Sequence, residues 1–233
     1  MLELVSVTTG YGKRRAINDV SIGVTSGKLV SIIGHNGAGK TTLLKAVMGM
    51  LPLWSGKIIV EKTDITHTTI ADRVRAGIAY APQGNRVFTE MSVRDNLIVS
   101  GRTCEGWKDS DSIIEMGCAR FPILSQLLNK RAGLLSGGER QATTMAMAMV
   151  RSPKILLLDE PSLGLSPMAI LDMFGTLERL RTAEGITIVI AEQRVVQVLS
   201  IADEYYAMKA GEIVSSGVCK EMDMDRVFHT TFL

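Results

Sequence analysis

The sequence predicts an α/β fold: a mostly parallel sheet with helices on both faces, an N-terminal antiparallel β subdomain and an inserted α-helical subdomain. Three observations carry that expectation. In the last third of the chain, short apolar runs alternate with helix-spaced segments, the pattern of parallel strands joined by crossover helices. An apolar run at residues 29–33 ends in a glycine-rich loop that opens a helix. Between residues 89 and 152 the apolar spacing is helical, with no convincing strand.

Residues 2–7 and 16–24 read as strands separated by the turn signal Thr9-Gly10-Tyr11-Gly12. The continuous apolar run at 29–33 reads as a buried strand. A helix follows from about Lys40 to Met50, stopped by Leu51-Pro52. Further strands are expected at 57–60 and 78–81, and Ser92 followed by Asp95 marks a helix start. Another helix is expected from Gly137 to about Val150. Strand signals resume at 155–158, 186–191, 205–208 and 212–215, with helices at 167–182 and 195–201, and the chain ends in a short tail. One domain results, with a first core part at 1–88, a helical part at 89–152 and a second core part at 153–233.

Composition narrows the function. At 233 residues and 46% hydrophobic, the chain has ample material for one large core. A net charge of +2 gives no electrostatic case for nucleic acid. Cys104, Cys118 and Cys219 are scattered and odd in number, so they read as reduced thiols and not as metal ligands. No apolar run approaches the roughly 20 residues of a membrane span. Glu3 and the lack of a basic segment before the first apolar stretch argue for a strand, not a signal peptide. The expected location is inside the cell, with any membrane role exerted through a partner.

Residues 34–42, GHNGAGKTT, satisfy the phosphate-loop pattern Gly34-x-x-x-x-Gly39-Lys40-Thr41 between a strand and a helix. Glycines let successive backbone N–H groups turn in around nucleotide phosphates, and the helix N-terminus adds partial positive charge. Lys40 neutralises phosphate charge, and the Thr41 hydroxyl can ligate Mg²⁺. The apolar strand at 155–158 delivers two carboxylates: Asp159 to hold Mg²⁺ through water, and Glu160 to orient and deprotonate the attacking water. LSGGERQ, at residues 135–141, places Ser136, Gly137 and Gly138 at a helix N-terminus, which reads either as an anion site or as an ordinary cap.

These three motifs, with LSGGERQ between the phosphate loop and the acidic strand, resemble the ATP-binding cassette (ABC) ATPases over essentially the whole chain. The resemblance implies a P-loop NTPase (RecA-like) core, ATP as substrate and Mg²⁺ as cofactor. It implies that Gly34, His35, Asn36, Gly37, Ala38, Gly39, Lys40, Thr41 and Thr42 surround the nucleotide, with His35 at a variable position of the loop. Tyr11 matches the aromatic that stacks on adenine, and Gln83 the glutamine that contacts Mg²⁺ and links core to helical subdomain. Thr41, Gln83 and Asp159 are the implied metal site; Lys40, Gln83, Glu160 and Gln193 the catalytic set. Ser136, Gly137, Gly138 and Glu139 match the signature that acts on the ATP of a facing subunit, and 162–165 the loop that crosses that interface.

Residues 161–167 (PSLGLSP), 191–194 (AEQR) and 83–88 (QGNRVF) look like the LivF-type ATPase of branched-chain amino acid importers. Two positions depart from the wider family. Gln193 stands where most members have a histidine; glutamine donates a neutral hydrogen bond but carries no proton, so a slower site is expected. Met147 replaces an arginine usual on the signature helix, and Met145, Met147 and Met149 read as core filler. Val87, Phe88 and Met91 either pack or form a groove for a permease helix, and Lys13, Arg14 and Arg15 read as a solvated hairpin tip. The implied partners are integral-membrane permease subunits, a second ABC ATPase (a paralogue or a second copy) and, indirectly, an extracytoplasmic substrate-binding protein; no nucleic acid is expected. The implied location is cytoplasmic, peripheral on the inner face of a prokaryotic membrane. Urea or amide import, lipopolysaccharide export and soluble iron–sulfur assembly work share the ATP motifs and stand as alternatives.

Overall fold

The computed structural model describes residues 1–102 and 109–232, so Cys104 lies outside the described residues. The chain runs β1 (Leu2–Tyr11), β2 (Arg14–Val24), β3 (Leu29–Ile33), α1 (Lys40–Val47), β4 (Leu53–Val60), β5 (Thr63–Asp64), α2 (Ile70–Arg75) and β6 (Ile78–Ala81). It continues as α3 (Val93–Arg102), α4 (Ser110–Arg120), α5 (Gly137–Met149), β7 (Ile155–Asp159), α6 (Pro167–Glu184) and β8 (Thr187–Glu192). It closes as α7 (Val195–Leu199), β9 (Glu204–Lys209), β10 (Glu212–Val218) and α8 (Met224–Phe232). Two sheets form, in the orders β2-β1-β4-β5 and β10-β9-β3-β8-β7-β6. The first is antiparallel; in the second every pairing is parallel except β9 with β10.

Alternate side chains of the parallel strands enter two cores, as strand geometry requires. Ile33, Leu156, Leu158, Ile188 and Ile190 pack with Leu97 of α3, Met145 and Met149 of α5, and Phe174 and Leu177 of α6. Val30, Ile32, Ile155, Leu157 and Val189 pack with Leu43, Leu44 and Val47 of α1 and with Leu4, Val7, Ile17 and Val20 of the antiparallel sheet. One face is thus covered by helices, and the other by α1 together with a second sheet. Met145 and Met149 are buried and Met147 packs half-buried on the first core, as expected of filler. Cys118 and Cys219 are free thiols.

Several boundaries move. Thr9, Gly10 and Tyr11, expected in a turn, continue β1, because they pair with Ile17, Arg15 and Arg14 through bulged register. A Cβ on Gly10 would overlap the Arg14 carbonyl oxygen, so this glycine serves close strand approach; Gly12 (φ +59°) and Lys13 make the reversal. β4 begins earlier than expected, at Leu53, and α1 stops at Val47, where Gly49 (φ +76°) turns the chain. The tail is a helix, α8, whose Val227 and Thr231 are buried against the sheet at β9 and β10.

α2 escaped the sequence because it is only six residues long, although its capping box is present: the Thr69 hydroxyl accepts from the Asp72 N–H at 3.2 Å, and the Asp72 carboxylate accepts from the Thr69 N–H at 3.2 Å. It delivers Arg73, only 2% exposed, beneath the end of α1. Arg73 Nη1 donates to the Ala46 and Val47 carbonyls at 2.8 and 2.7 Å, and Nη2 to the Thr66 carbonyl at 2.8 Å. A cation thus closes the negative end of α1. Arg73→Leu would strand the buried Val47 and Thr66 carbonyls, leaving Ala46 only the Gly49 N–H at 3.0 Å, and is expected to cost about 2–4 kcal/mol of stability, seen as a lowered urea midpoint with unchanged slope.

Candidate functional site: a phosphate loop beside a carboxylate pair

Parallel register sets the site. Ala81 pairs with Leu158, Asp159 with Ala191, and Ile33 with Glu192, so β6, β7, β8 and β3 end on one edge of the sheet. That edge is where α/β sheets place ligands. β3 is buried at every residue and delivers Gly34, where a Cβ would overlap the Met208 carbonyl oxygen. Gly37 (φ +82°) and Gly39 (φ +111°) adopt left-handed backbone, and a Cβ on Gly39 would lie 2.8 Å from Ile17 Cδ1. Gly39 is the N-cap of α1 and brings no side-chain cap, so the first amides of the helix keep their donor capacity for an anion.

Lys40 is buried at the base of this loop. Its Nζ donates to the Gly34 and His35 carbonyls at 2.8 and 3.0 Å and lies 3.1 Å from Glu160 Oε1. Glu160 Oε2 accepts from Gln83 Nε2 at 2.9 Å. Glu160 itself sits at φ +44°, uncommon for a non-glycine residue, with its N–H donating to the Ala191 carbonyl at 2.9 Å. Asp159 Oδ1 accepts from the Thr41 hydroxyl and Oδ2 from the Tyr80 hydroxyl, both at 2.9 Å. Burial pushes the Asp159 carboxyl above its usual range, Glu160 adding to this while Thr41 and Tyr80 pull it partly back. Burial and then Asp159 likewise push the Tyr80 phenol up.

A cleft of 580 Å³ opens over this network, lined by Tyr11, Arg14, Arg15, Asn36, Gly37, Gly39, Lys40, Thr41, Thr42, Gln83 and Glu160. Tyr11, 48% exposed, stands at its wall with its hydroxyl 3.5 Å from Thr42 Oγ1. Arg14 and Arg15, exposed at the hairpin as expected, also border this cleft. Gly34, His35 and Ala38 shape the loop without lining the cleft: Ala38 is in the core, and the His35 ring turns away toward α8. Gln193 is exposed and also outside the lining; its N–H donates to Glu192 Oε2 at 3.1 Å.

The signature turn lies outside the cleft lining too. Ser136 caps α5 through a reciprocal box: its hydroxyl accepts from the Glu139 N–H at 3.3 Å, and Glu139 Oε2 accepts from the Ser136 N–H at 2.7 Å. Glu139 also pairs with Lys130 at 3.3 Å, so its carboxylate is engaged within the chain. Ser136 and Gly137 remain exposed, and Gly137 and Gly138 border Gly164 and Ala169, joining this turn to the 162–165 loop. Arg140 donates to the Leu135 carbonyl at 3.0 Å, bracing the turn from within.

A family model described as ABC transporter matches residues 17–163. The chain belongs to the ABC transporter family. It is an ABC-type ATPase that binds nucleotide. The cassette is 40% identical to the high-affinity branched-chain amino acid transport ATP-binding protein BraG of Pseudomonas aeruginosa, over 92% of this chain and 91% of the relative. It is 34% identical to the probable branched-chain amino acid transport ATP-binding protein LivF of Archaeoglobus fulgidus, over 95% and 94%. It is 32% identical to the lipopolysaccharide export system ATP-binding protein LptB of Escherichia coli, over 98% and 95%. Among solved structures, the ADP conformation of an ATP-binding cassette of an ABC transporter superposes with TM-score 0.85 at 29% identity, over 98% of both chains.

Sequence reasoning missed Tyr80 and Glu192. Tyr80 gave no signal, since a tyrosine in a short strand is ordinary. Glu192 did: like Asp159, it is an acid ending an apolar strand. It is 1% exposed, and its Oε1 accepts from the Ser162 N–H at 2.9 Å, so one carboxylate ties the 162–165 loop to the segment at Gln193. Glu192→Gln would turn an amide N–H toward one of these backbone donors and is expected to cost about 1–3 kcal/mol of stability, with ATPase activity falling in step; denaturation midpoint and phosphate release check it.

Proposed function

We propose that this chain is the ATP-hydrolysing motor subunit of a membrane importer for branched-chain amino acids. The observation that carries the chemistry is the continuous network Lys40–Glu160–Gln83 beside Thr41–Asp159 at the mouth of an uncapped helix. In this reading the first amides of α1 and Lys40 bind the β- and γ-phosphates, and Tyr11 stacks on adenine. Thr41 and Asp159, hard oxygen donors 2.9 Å apart, with Gln83 nearby, fit Mg²⁺, which supplies charge neutralisation when bound. Glu160, oriented by Gln83, accepts a proton from the attacking water.

The exposed Ser136-Gly137 turn and the neighbouring 162–165 loop would meet the ATP of a facing ABC subunit, closing a head-to-tail dimer. A groove of 630 Å³, where Tyr80 of β6 faces Ser100 of α3 and Ala148 of α5, is the proposed seat of a permease helix. Of the three apolar residues after Gln83, Val87 packs on the first core, while Phe88 and Met91 are exposed and free to meet a permease helix in this reading. No helix among the described residues is long and apolar enough to cross a membrane, so this reading places the cassette at the membrane through its permease, on the inner face. The likenesses to BraG and LivF support branched-chain amino acids as cargo; the likeness to LptB supports lipopolysaccharide export as a second reading.

Glu160→Gln is expected to keep ATP binding while cutting turnover roughly 100-fold or more, whereas Lys40→Ala loses binding as well. Nucleotide titration and phosphate release on the purified variants separate the two; full activity in Glu160→Gln would remove that residue from the general-base role. Mass spectrometry of what co-purifies from native membranes in mild detergent tests the cargo reading. Permeases of the amino acid type with a second ABC ATPase are expected; lipopolysaccharide-export permeases, or soluble scaffold proteins alone, would overturn import.

A further inference from the structure

The phosphate loop is attached to the C-terminal helix through a residue that stays out of the cleft. His35 Nε2 lies 3.0 Å from the Phe232 carbonyl oxygen. A carbonyl only accepts, so this nitrogen carries the proton and donates. The His35 and Phe232 rings meet edge to face, with centroids 4.6 Å apart and planes at 71°. Phe228, 50% exposed, stacks on Phe232 at 5.0 Å, steadying that ring from the solvent side. α8 is itself anchored, with Val227 and Thr231 buried and the Thr230 carbonyl accepting from Lys209 Nζ at 3.4 Å.

On its other side, the His35 carbonyl accepts from Lys40 Nζ at 3.0 Å and from the Ala38 N–H at 3.2 Å. One residue therefore joins the last turn of the chain to the lysine at the base of the loop. Gly37 has nothing packed where a side chain would stand, so an outside hold on this part of the loop lowers the entropy lost when it is ordered on binding.

We propose that α8 braces the phosphate loop: His35 is a positioning residue whose ring, clamped by Phe232, sets the carbonyl that holds Lys40, so the C-terminal helix raises the ATP affinity of the chain's own site. This rests on the reading that the loop binds ATP phosphates. A brace acts on the binding step more than on chemistry, so its loss raises KM and Kd and leaves kcat nearly unchanged.

The test is titration of the purified full chain with a fluorescent ATP analogue, paired with steady-state phosphate release. Phe232→Ala, which loses the ring contact but keeps the backbone carbonyl, and His35→Ala, which loses both the ring contact and the hydrogen bond, are expected to weaken nucleotide binding and raise KM about three- to tenfold, with kcat within about twofold. Phe232→Tyr, which keeps the ring, retains wild-type affinity. Met224→Ala, on the same helix and outside the ring cluster, leaves affinity and turnover unchanged. Should Phe232→Ala misfold, His35→Ala decides, since that side chain is exposed. Wild-type affinity in both alanine variants while Lys40→Ala loses binding would overturn the brace and leave the loop's role intact. A fall in kcat at constant KM would overturn it as well, and wild-type binding by Lys40→Ala would overturn both readings.

Discussion

The buried contact between Lys40 and Glu160, 3.1 Å apart, is the constraint on which the rest of the structure depends. Two charges removed from water are costly unless their remaining hydrogen-bonding capacity is met. Here the Gly34 and His35 carbonyls satisfy the lysine and Gln83 satisfies the carboxylate. Those partners come from three separate stretches of chain, so the pair forms only if β3, β6 and β7 end at one level. Parallel pairing with fixed register supplies that level.

The same geometry explains why the glycines stand where they do. Gly34 passes beneath β9, and Gly39 against Ile17 of the antiparallel sheet, at distances that leave no room for a side chain. The antiparallel sheet thus presses the loop into shape from one side while α8 holds it through His35 from the other. At the far end of α1, Arg73 donates to the last carbonyls, so the helix that follows the glycine-rich loop is held at its C-terminal end as well.

Carboxylates at strand ends have separate tasks set by their surroundings. Asp159 is held by two hydroxyls, Glu160 by a cation and an amide, and Glu192 by backbone N–H groups alone. The first pair faces the phosphate loop; the third joins two segments behind it. Chemical type was the same in all three, and only the neighbours delivered by the sheet separated carboxylates held by side chains beside the loop from one held by backbone alone.

Local pattern determined the parallel strands, the main helices, the glycine-rich loop and the acids Asp159 and Glu160, because apolar periodicity and glycine placement are written residue by residue. Ser136 and Ser92 were legible as caps for the same reason: a cap acts within four residues. What only the tertiary structure decided depends on contacts between distant residues. Pairing across the hairpin drew Thr9 to Tyr11 out of their expected turn, and the cleft gained Arg14 and Arg15 from it. Tyr80 became a partner of Asp159, Glu192 a tie for Ser162, and a tail with weak local signal became a helix once the sheet offered it an apolar bed. His35 shows the division most plainly: the sequence places it inside the phosphate loop, but packing against Phe232, 197 residues away, turns its ring away from the cleft and toward the helix.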